Sequence, residues 1–455
     1  MNFKDKKVLV IGAGKSGVAV SRFLCAKGAA VVLADAGRPG DPRGELEQLS
    51  AAGVQIQTGG YHRVERDSFE LVVLSPGVPL TEKPARDAQK HGIPVTGELE
   101  LAYRFARAPI VAVTGTNGKT TTTTLIGEIF KRAGKNVLVG GNIGRPLLTE
   151  VERFGNGDII VAEVSSFQLE TATTFKPKVG IILNITPDHL DRHGNMENYT
   201  KAKLKIVAGQ EPGDYAVLNY DDANTAALGK GLRGQVVYFS RKATLEEGVF
   251  VREGKILARF GRLEEIICRV NELGIPGAHN LENALAAVAA TKVLGVERDV
   301  LADSLREFKG VSHRLEFVAE IDGVRYINDS KGTNPDAAIK ALEAYEEPIV
   351  LIAGGKNKGS DFSLFAGKVK EKARALVVLG QSAQHIAAAA RDKGFENILY
   401  AGDFREAVQL ARRAARPGDI VLLSPACASW DMFNSYEERG DLFKEIVKGF
   451  KEQNL

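Results

Sequence analysis

Short continuous apolar runs recur along the whole chain: KKVLVIG, AAVVLAD, ELVVLSPG, APIVAVTG, NVLVGG, DIIVAEVS, VGIILNI, PIVLIAGG, ALVVLG and DIVLLSPA. Most run into Gly, Ser or Asp, and stretches with helical spacing lie between them. Unbroken Val, Ile and Leu is the pattern of strands buried on both faces of a parallel sheet. Alternation with helices predicts an α/β chain of doubly wound type. The motif sets restart near Gly97–Pro109 and again near Gly310, which predicts three domains at 1–97, 98–310 and 311–455.

Composition narrows the function classes. Of 455 residues, 44% are hydrophobic and 26% charged, as in ordinary globular protein, so wholesale disorder is excluded. Lys+Arg 60 against Asp+Glu 57 leaves +3, too little for a nucleic-acid or membrane-surface polycation. An anionic ligand must then be held by local geometry. Cys25, Cys268 and Cys427 are far apart and odd in number, so neither a disulfide framework nor a zinc spacing is expected. No segment approaches the roughly 18 consecutive apolar residues of a membrane span, and no signal-peptide core follows Met1. A soluble cytoplasmic protein is expected, monomeric by default.

Two glycine loops carry the first chemistry. In VLVIGAGKSG, Gly12, Gly14 and Gly17 form strand–GxGxxG–helix, and Asp35 ends the next strand. Glycines there let the backbone approach a pyrophosphate seated at a helix N-terminus. Taken alone this fits a nicotinamide dehydrogenase as well as any other nucleotide-diphosphate binder. In VAVTGTNGKTTTTTLI, Gly115, Gly118, Lys119 and Thr120 sit between an apolar strand and a helix. Backbone N–H groups cradle phosphate, Lys119 supplies a point charge and Thr120 offers a hydroxyl to magnesium. Val113 breaks the standard spacing, so the loop is a shortened one, built for a nucleoside triphosphate.

Glu163 closes DIIVAE and His189 follows VGIILNITPD, both at strand ends, where parallel-sheet ligands bind. A metal role is expected for both. In ENYTKAKLKIV a 100° step puts Tyr199, Ala202, Ile206 and Val207 on one helix face, with Lys203 among them and Lys201 and Lys205 opposite. An inward lysine needs a reason; either its stem snorkels or its amine has a task. Further on, Asn334 and Pro335 read as N-cap and first helical position. Lys356, Lys358, Ser429, Trp430 and Tyr436 follow strands, as a site for a small anion requires.

Together TGTNGKTT, GGNIG, EVSSFQLE, ITPDHLDRH, YTKAK, GAHNLENA, SHRLE, NDSKGTNPDA, GGKNKGSDF and SPACASWDMF resemble the Mur ligases, ATP-dependent amino-acid ligases of peptidoglycan synthesis. Within that family SPG at Ser75–Gly77, DHLDRH, NDSKGTNPDA and SPACAS are most similar to the branch that adds D-glutamate. The resemblance implies a Rossmann-like first domain, a central P-loop ATPase-like domain and a Rossmann-like third. It implies UDP-N-acetylmuramoyl-L-alanine and D-glutamate as partners, and ATP with two Mg2+ ions as cofactors. Lys15, Ser16, Asp35 and Gly77 would surround uracil and diphosphate, with Ala36 standing where relatives can carry a hydroxyl residue. Gly115, Thr116, Asn117, Gly118, Lys119, Thr120 and Thr121 would bind ATP, with Asn280 and Asn283 near adenine. Arg314 and Asp329 would reach the nucleotide across the domain gap. Asn142 and Ser165 would face the sugar-peptide, while Thr333, Lys358, Ser429 and Tyr436 would clamp D-glutamate. Thr120, Glu163, His189 and a carbamylated Lys203 would hold metal. A folylpolyglutamate-synthase-like ligase, a nicotinamide dehydrogenase and a nucleotide-controlled binding protein remain as alternatives.

Overall fold

A computed structural model describes residues 2–37, 44–61, 64–275, 277–357 and 359–452; Lys358 lies outside the described residues. The chain forms two compact units, Met1–Asn271 with Glu282–Leu305, and Glu272–Leu281 with Arg306–Leu455. The helix Ala278–Lys292 runs through this division.

The first unit contains two sheets. One holds β1 (Lys7–Ile11), β2 (Ala30–Asp35), β3 (Gln55–Thr58), β4 (Leu71–Leu74) and β5 (Val95–Gly97) in the order β3-β2-β1-β4-β5, all parallel. Strand order reverses at β1, with Val8 opposite both Val31 and Leu71. A crevice at that reversal is where such sheets bind ligands. The second sheet holds β6 (Ile110–Thr114), β7 (Val137–Gly141), β8 (Ile159–Glu163), β9 (Val179–Ile182), β10 (Tyr215–Asn219), β11 (Gln235–Ser240), β12 (Gly248–Arg252), β13 (Lys255–Phe260) and β14 (Leu263–Arg269). Its order is β14-β13-β12-β11-β10-β9-β6-β8-β7, parallel from β7 to β12. The strands β12 to β14 depart from the expected alternation and form an antiparallel meander.

In the second unit β15 (Glu316–Ile321), β16 (Val324–Asn328), β17 (Ile349–Gly354), β18 (Ala373–Leu379), β19 (Ile398–Tyr400) and β20 (Ile420–Leu423) pair in the order β15-β16-β20-β17-β18-β19. Only β15 is antiparallel to its neighbour. Every residue of β6, β8, β17 and β20 is buried, as their unbroken apolar sequence requires. Each such Val, Leu or Ile contributes about 1.5–3 kcal/mol of burial.

The helix Glu98–Phe105 follows β5 directly and joins the two sheets of the first unit with two buried carboxylates. Glu100 works against its burial by accepting from the Thr174 hydroxyl, the N–H groups of Thr173, Thr174 and Phe175, and Arg104, so its pKa is lowered. Glu98 Oε1 accepts from the Leu148 N–H at 2.8 Å, while its buried Oε2 lacks a partner among the described residues. Burial therefore wins and raises its pKa to about 7.

Candidate functional site

The first glycine loop leaves β1 and starts the helix Lys15–Ala26. At Gly17 a Cβ would stand 1.8 Å from the Gly12 carbonyl oxygen, so only glycine fits. Gly14, the N-cap at φ −77°, has nothing within 4 Å of such an atom and keeps that side of the loop open. Asp35, at the end of β2, holds the loop with one oxygen and its own turn with the other: Oδ2 accepts from Ala13 N–H at 2.7 Å and Oδ1 from Gly37 N–H at 2.9 Å. The acidic residue at the second strand thus holds the glycine turn in shape. Lys15 is exposed and Ser16 half-buried in the first helical turn. Gly77 is exposed in a turn closed by Val78 N–H to Ser75 O at 2.9 Å, and the Ser75 hydroxyl ties it to Gly12 O at 2.8 Å.

The phosphate loop leaves β6 and enters the helix Lys119–Arg132. Gly118 has φ +85°, and a Cβ there would meet Asn283 Oδ1 at 2.2 Å. Asn283 also accepts from the Thr122 hydroxyl at 3.2 Å, so it braces the loop from below. Thr116 N–H and Asn117 N–H bond to Asn184 O and Oδ1 at 3.0 and 2.9 Å. The Thr116 hydroxyl reaches Thr186 O at 3.0 Å and lies 3.2 Å from Tyr199 Oη. Thr120 and Thr121 are buried at the helix start.

Two lysines converge here. Lys119 Nζ donates to Gly115 O at 2.9 Å and Thr116 O at 2.8 Å. Lys203 Nζ donates to the same Gly115 oxygen at 2.8 Å and lies 4.6 Å from the Tyr199 ring centroid. Lys203 is 1% exposed, on the face with Tyr199, Ala202, Ile206 and Val207, as its helical phase predicts. Burial, then the charge of Lys119, push its pKa well below the ordinary lysine value, while Asp188 opposes them. Lys201 is exposed. Lys205 is exposed too, but its amine donates to Glu170 O at 2.7 Å, which is more than a solvent-face role.

Glu163 lies in register with Val113, one strand across from the base of the phosphate loop. Its Oε1 accepts from Asn142 Nδ2 at 2.8 Å, and Asn142 N–H donates to Glu163 O at 2.8 Å. Its Oε2 is buried without a partner among the described residues. A partnerless buried carboxylate oxygen beside a phosphate cradle fits a cation. Among the described residues there is no group of three or more His, Cys, Asp or Glu able to hold a metal. The expected set contains only two of those types, Glu163 and His189.

His189 caps the short helix Leu190–His193 at φ +52°, with Nε2 3.6 Å from Asp188 Oδ2 and its ring edge-on to Phe167 at 4.8 Å. Ser165 caps the helix Ser166–Glu170 in a reciprocal box with Gln168. Sequence reading passed over Asp188, Glu170 and Arg192 as individual residues, though Asp188 and Arg192 lie within the ITPDHLDRH string itself, and it placed Tyr199 only on the apolar helix face.

In the second unit, strand-end loops gather around Asp329. It accepts from the Ser424 hydroxyl at 2.7 Å, and burial raises its pKa to about 7. Arg314 acts on it electrostatically, and the Arg314 Nε is buried without a partner among the described residues. Arg439 is 1% exposed and ties Ser330 Oγ at 2.9 Å and Ser330 O at 2.8 Å to Cys427 O. Lys356 and Ala428 exchange backbone bonds at 2.9 and 3.1 Å. NDSKGTNPDA, GGKN at Gly354–Asn357 and SPACAS thereby lie at one end of the sheet. Asn334 caps the helix Pro335–Glu343 as expected. Thr333 is half-buried and Ser429 buried, while Lys331 Nζ lies 5.1 Å from the Tyr436 ring. Asn280 is buried and its N–H bonds Gly277 O at 3.0 Å.

Residues 6–97 match the Mur ligase MurD-like N-terminal domain, 113–291 the Mur ligase middle domain and 313–427 the Mur ligase glutamate ligase domain. A protein of Pelotomaculum thermopropionicum named UDP-N-acetylmuramoylalanine–D-glutamate ligase is 72% identical over 450 residues, 99% of both chains. One of the same name from Desulfitobacterium hafniense is 52% identical, with 98% of both chains covered. Among solved structures, the UDP-N-acetylmuramate-alanine ligase of Thermotoga maritima has a TM-score of 0.60 at 22% identity, covering 98% of this chain and 99% of that one. A pseudomurein peptide ligase type C from Methanothermus fervidus has a TM-score of 0.61 at 20% identity, covering 98% and 100%. Both share the three-domain α/β fold. The chain belongs to the Mur ligase family.

Proposed function

We propose that this chain ligates D-glutamate to UDP-N-acetylmuramoyl-L-alanine with ATP, forming UDP-N-acetylmuramoyl-L-alanyl-D-glutamate, ADP and phosphate for peptidoglycan. The observation that carries the reading is the relative of that name at 72% identity over 99% of both chains. The first domain, 1–97, takes the UDP moiety at the open side of Gly14, with Lys15, Ser16, Asp35 and Gly77 around it. The central domain, 98–310, takes ATP on Gly115–Thr121, and the third, 311–455, takes D-glutamate on Thr333, Lys358, Ser429 and Tyr436. Asn280, Asn283, Arg314 and Asp329 belong to the nucleotide site, and Asn142 and Ser165 to the sugar-peptide.

The chemistry is activation of a carboxylate followed by amide formation. The alanyl carboxylate attacks the terminal phosphoryl group of ATP and ADP leaves. The D-glutamate amine then attacks the acyl phosphate, releasing phosphate and a proton. Lys119 follows the charge on the phosphoryl oxygens. Magnesium, two ions when bound, neutralises the transferring group. Thr120 and Glu163 would hold one ion, and His189 with a carbamylated Lys203 would hold the other. Burial beside Lys119 favours the neutral amine of Lys203 that carbamylation needs. Among the described residues no helix is long and apolar enough to cross a membrane. A monomer in the cytoplasm, with neither nucleic-acid nor membrane partners, completes the reading.

The test is phosphate release from ATP across a panel of D-Glu, L-Glu, L-Ala and diamino acids, with and without UDP-N-acetylmuramoyl-L-alanine. Release that requires both the UDP-sugar and D-glutamate is expected. Release with a different amino acid, or without the UDP-sugar, removes the assignment.

A further inference from the structure

Arg192 joins regions far apart in sequence. Its guanidinium grips Glu170 in a fork, Nε to Oε1 at 3.2 Å and Nη2 to Oε2 at 2.6 Å. The same group donates to two carbonyls of the Ser75–Val78 turn, Nη1 to Gly77 O at 3.3 Å and Nη2 to Val78 O at 3.2 Å. Its carbon Cζ lies 5.1 Å from the Phe167 ring, against whose edge His189 stands. Both partners of the ion pair are mostly buried, at 15% and 16% exposure, so it is screened less than a surface pair.

The turn that Arg192 holds is bound through Ser75 to Gly12 of the first glycine loop. Glu170 ends the helix that Ser165 caps, directly after the strand carrying Glu163. One side chain therefore spans from the loops at the end of the first sheet to those at the end of the second. Its neighbour His193 supports the same helix, with Nε2 3.0 Å from the Ser166 hydroxyl and Nδ1 3.6 Å from Glu170 Oε1. This Glu–His–Ser row is no hydrolytic triad. Ser166 is 3% exposed, and the Glu170 carboxylate is already engaged by Arg192.

We infer that Arg192 is a positioning residue that sets the spacing between the UDP-binding turn and the phosphoryl-transfer site, so that one long substrate reaches both. The inference rests on the functional reading of Gly77 and the phosphate loop given above. Planar, multidentate bonding is what arginine supplies and lysine does not. A misplacement of about 1 Å far from the chemistry can cost about a hundredfold in rate. A spacer acts on ligands that bridge two places and not on ligands that occupy one.

The experiment compares wild type, Arg192→Ala, Arg192→Lys and Glu170→Gln in calorimetry with UDP, ATP and UDP-N-acetylmuramoyl-L-alanine, alongside phosphate-release kinetics. Expected for Arg192→Ala are dissociation constants for UDP and ATP within about twofold of wild type. For the UDP-sugar, kcat/KM should fall about tenfold or more, partly restored in Arg192→Lys. Glu170→Gln should show the same split, and combining it with Arg192→Ala should add little. Loss of UDP binding as large as the loss for the bridging substrate would make Arg192 a local loop contact and overturn the inference. So would full activity in Arg192→Ala. If Arg192→Ala fails to fold, Arg192→Lys with unchanged kcat/KM for the UDP-sugar also overturns it. A wild type that lacks the dual substrate requirement removes the functional reading and this inference together; an active wild type with either of the other outcomes removes this inference alone.

Discussion

The two glycine loops of the first unit solve similar problems in opposite ways. The loop at Gly12–Gly17 is closed inward, where Gly17 meets the Gly12 carbonyl, and open outward at Gly14. It is braced from behind by a carboxylate, Asp35. The phosphate loop is packed on both sides: Asn283 fills the space beneath Gly118, and two lysines bond the single carbonyl of Gly115. One loop offers backbone and room, which suits a diphosphate that stays intact. The other fixes the Lys119 ammonium beside the buried amine of Lys203, which suits a phosphoryl group in transfer. Glycine spacing alone does not distinguish them; the surrounding side chains do.

The largest effect should come from removing the two lysines. Lys119→Ala and Lys203→Ala should each lose at least about a hundredfold in turnover, while calorimetry with the UDP-sugar stays near wild type. Added short-chain acids should partly restore Lys203→Ala and leave Lys119→Ala inactive. Lys201→Ala should be near wild type. Full activity in Lys203→Ala would remove the distinction between the loops.

Next is steric disruption. Gly17→Ala forces a methyl group onto backbone and should cost several kcal/mol of stability, on the order of the upper range for point changes. Gly118→Ala adds the strain of a positive φ. Thermal melting of both would check this, and a normal melting temperature for Gly17→Ala would show that its loop yields.

The helix between the loops gives a pH signature. The carboxyl of Glu98 titrates near 7 in the fold against its ordinary 4.5, so the folded state holds the proton more tightly. The stability it contributes is complete below about 4.5 and is lost as the pH rises through about 7. Glu98→Gln keeps an acceptor for Leu148 and carries no charge. Its advantage over wild type should therefore grow between pH 5 and 8, towards about 3 kcal/mol at most. A constant difference across that range would rule out a protonated Glu98. Asp329 also has a raised pKa, but it is present in both proteins and cancels.

The mildest change is Gly14→Ala, where the added methyl has open space in the free protein. Melting should be unchanged and UDP-sugar binding weakened about tenfold, or about 1.4 kcal/mol. Unchanged affinity would place the diphosphate elsewhere.

The strands buried on both faces were legible because nothing polar interrupts them, as in β6, β8, β17 and β20. Strands such as β3 (QIQT) and β19 (ILY) are short and half-exposed, β5 (VTG) is only three residues long, and all three carry too little pattern. The strands β12–β14 (GVFVR, KILARF and LEEIICR) mix charged and apolar residues without strict alternation, so periodicity alone does not mark them, and Glu264 accepts from Arg252 and Arg259 within the meander. Lys203 was readable because an inward lysine conflicts with its helical face. Arg192 was not: its partners Gly77 and Glu170 are brought to it only by the fold. Glu98 and Glu100 look like ordinary helix carboxylates until Leu148 and Thr173–Phe175 close over them.

Lys119 is already bonded to Gly115 O and Thr116 O. A stray phosphate or sulfate gains little there, because it competes with two bonds that ammonium already makes, and bonds to charged groups are worth about 1.5–3 kcal/mol each. Only an anion long enough to engage the loop amides and the Thr120 hydroxyl as well repays the exchange. Self-satisfaction of the loop is thus a selectivity filter: it raises the threshold for small anions that are abundant in any cell and leaves the seat for a polyphosphate chain.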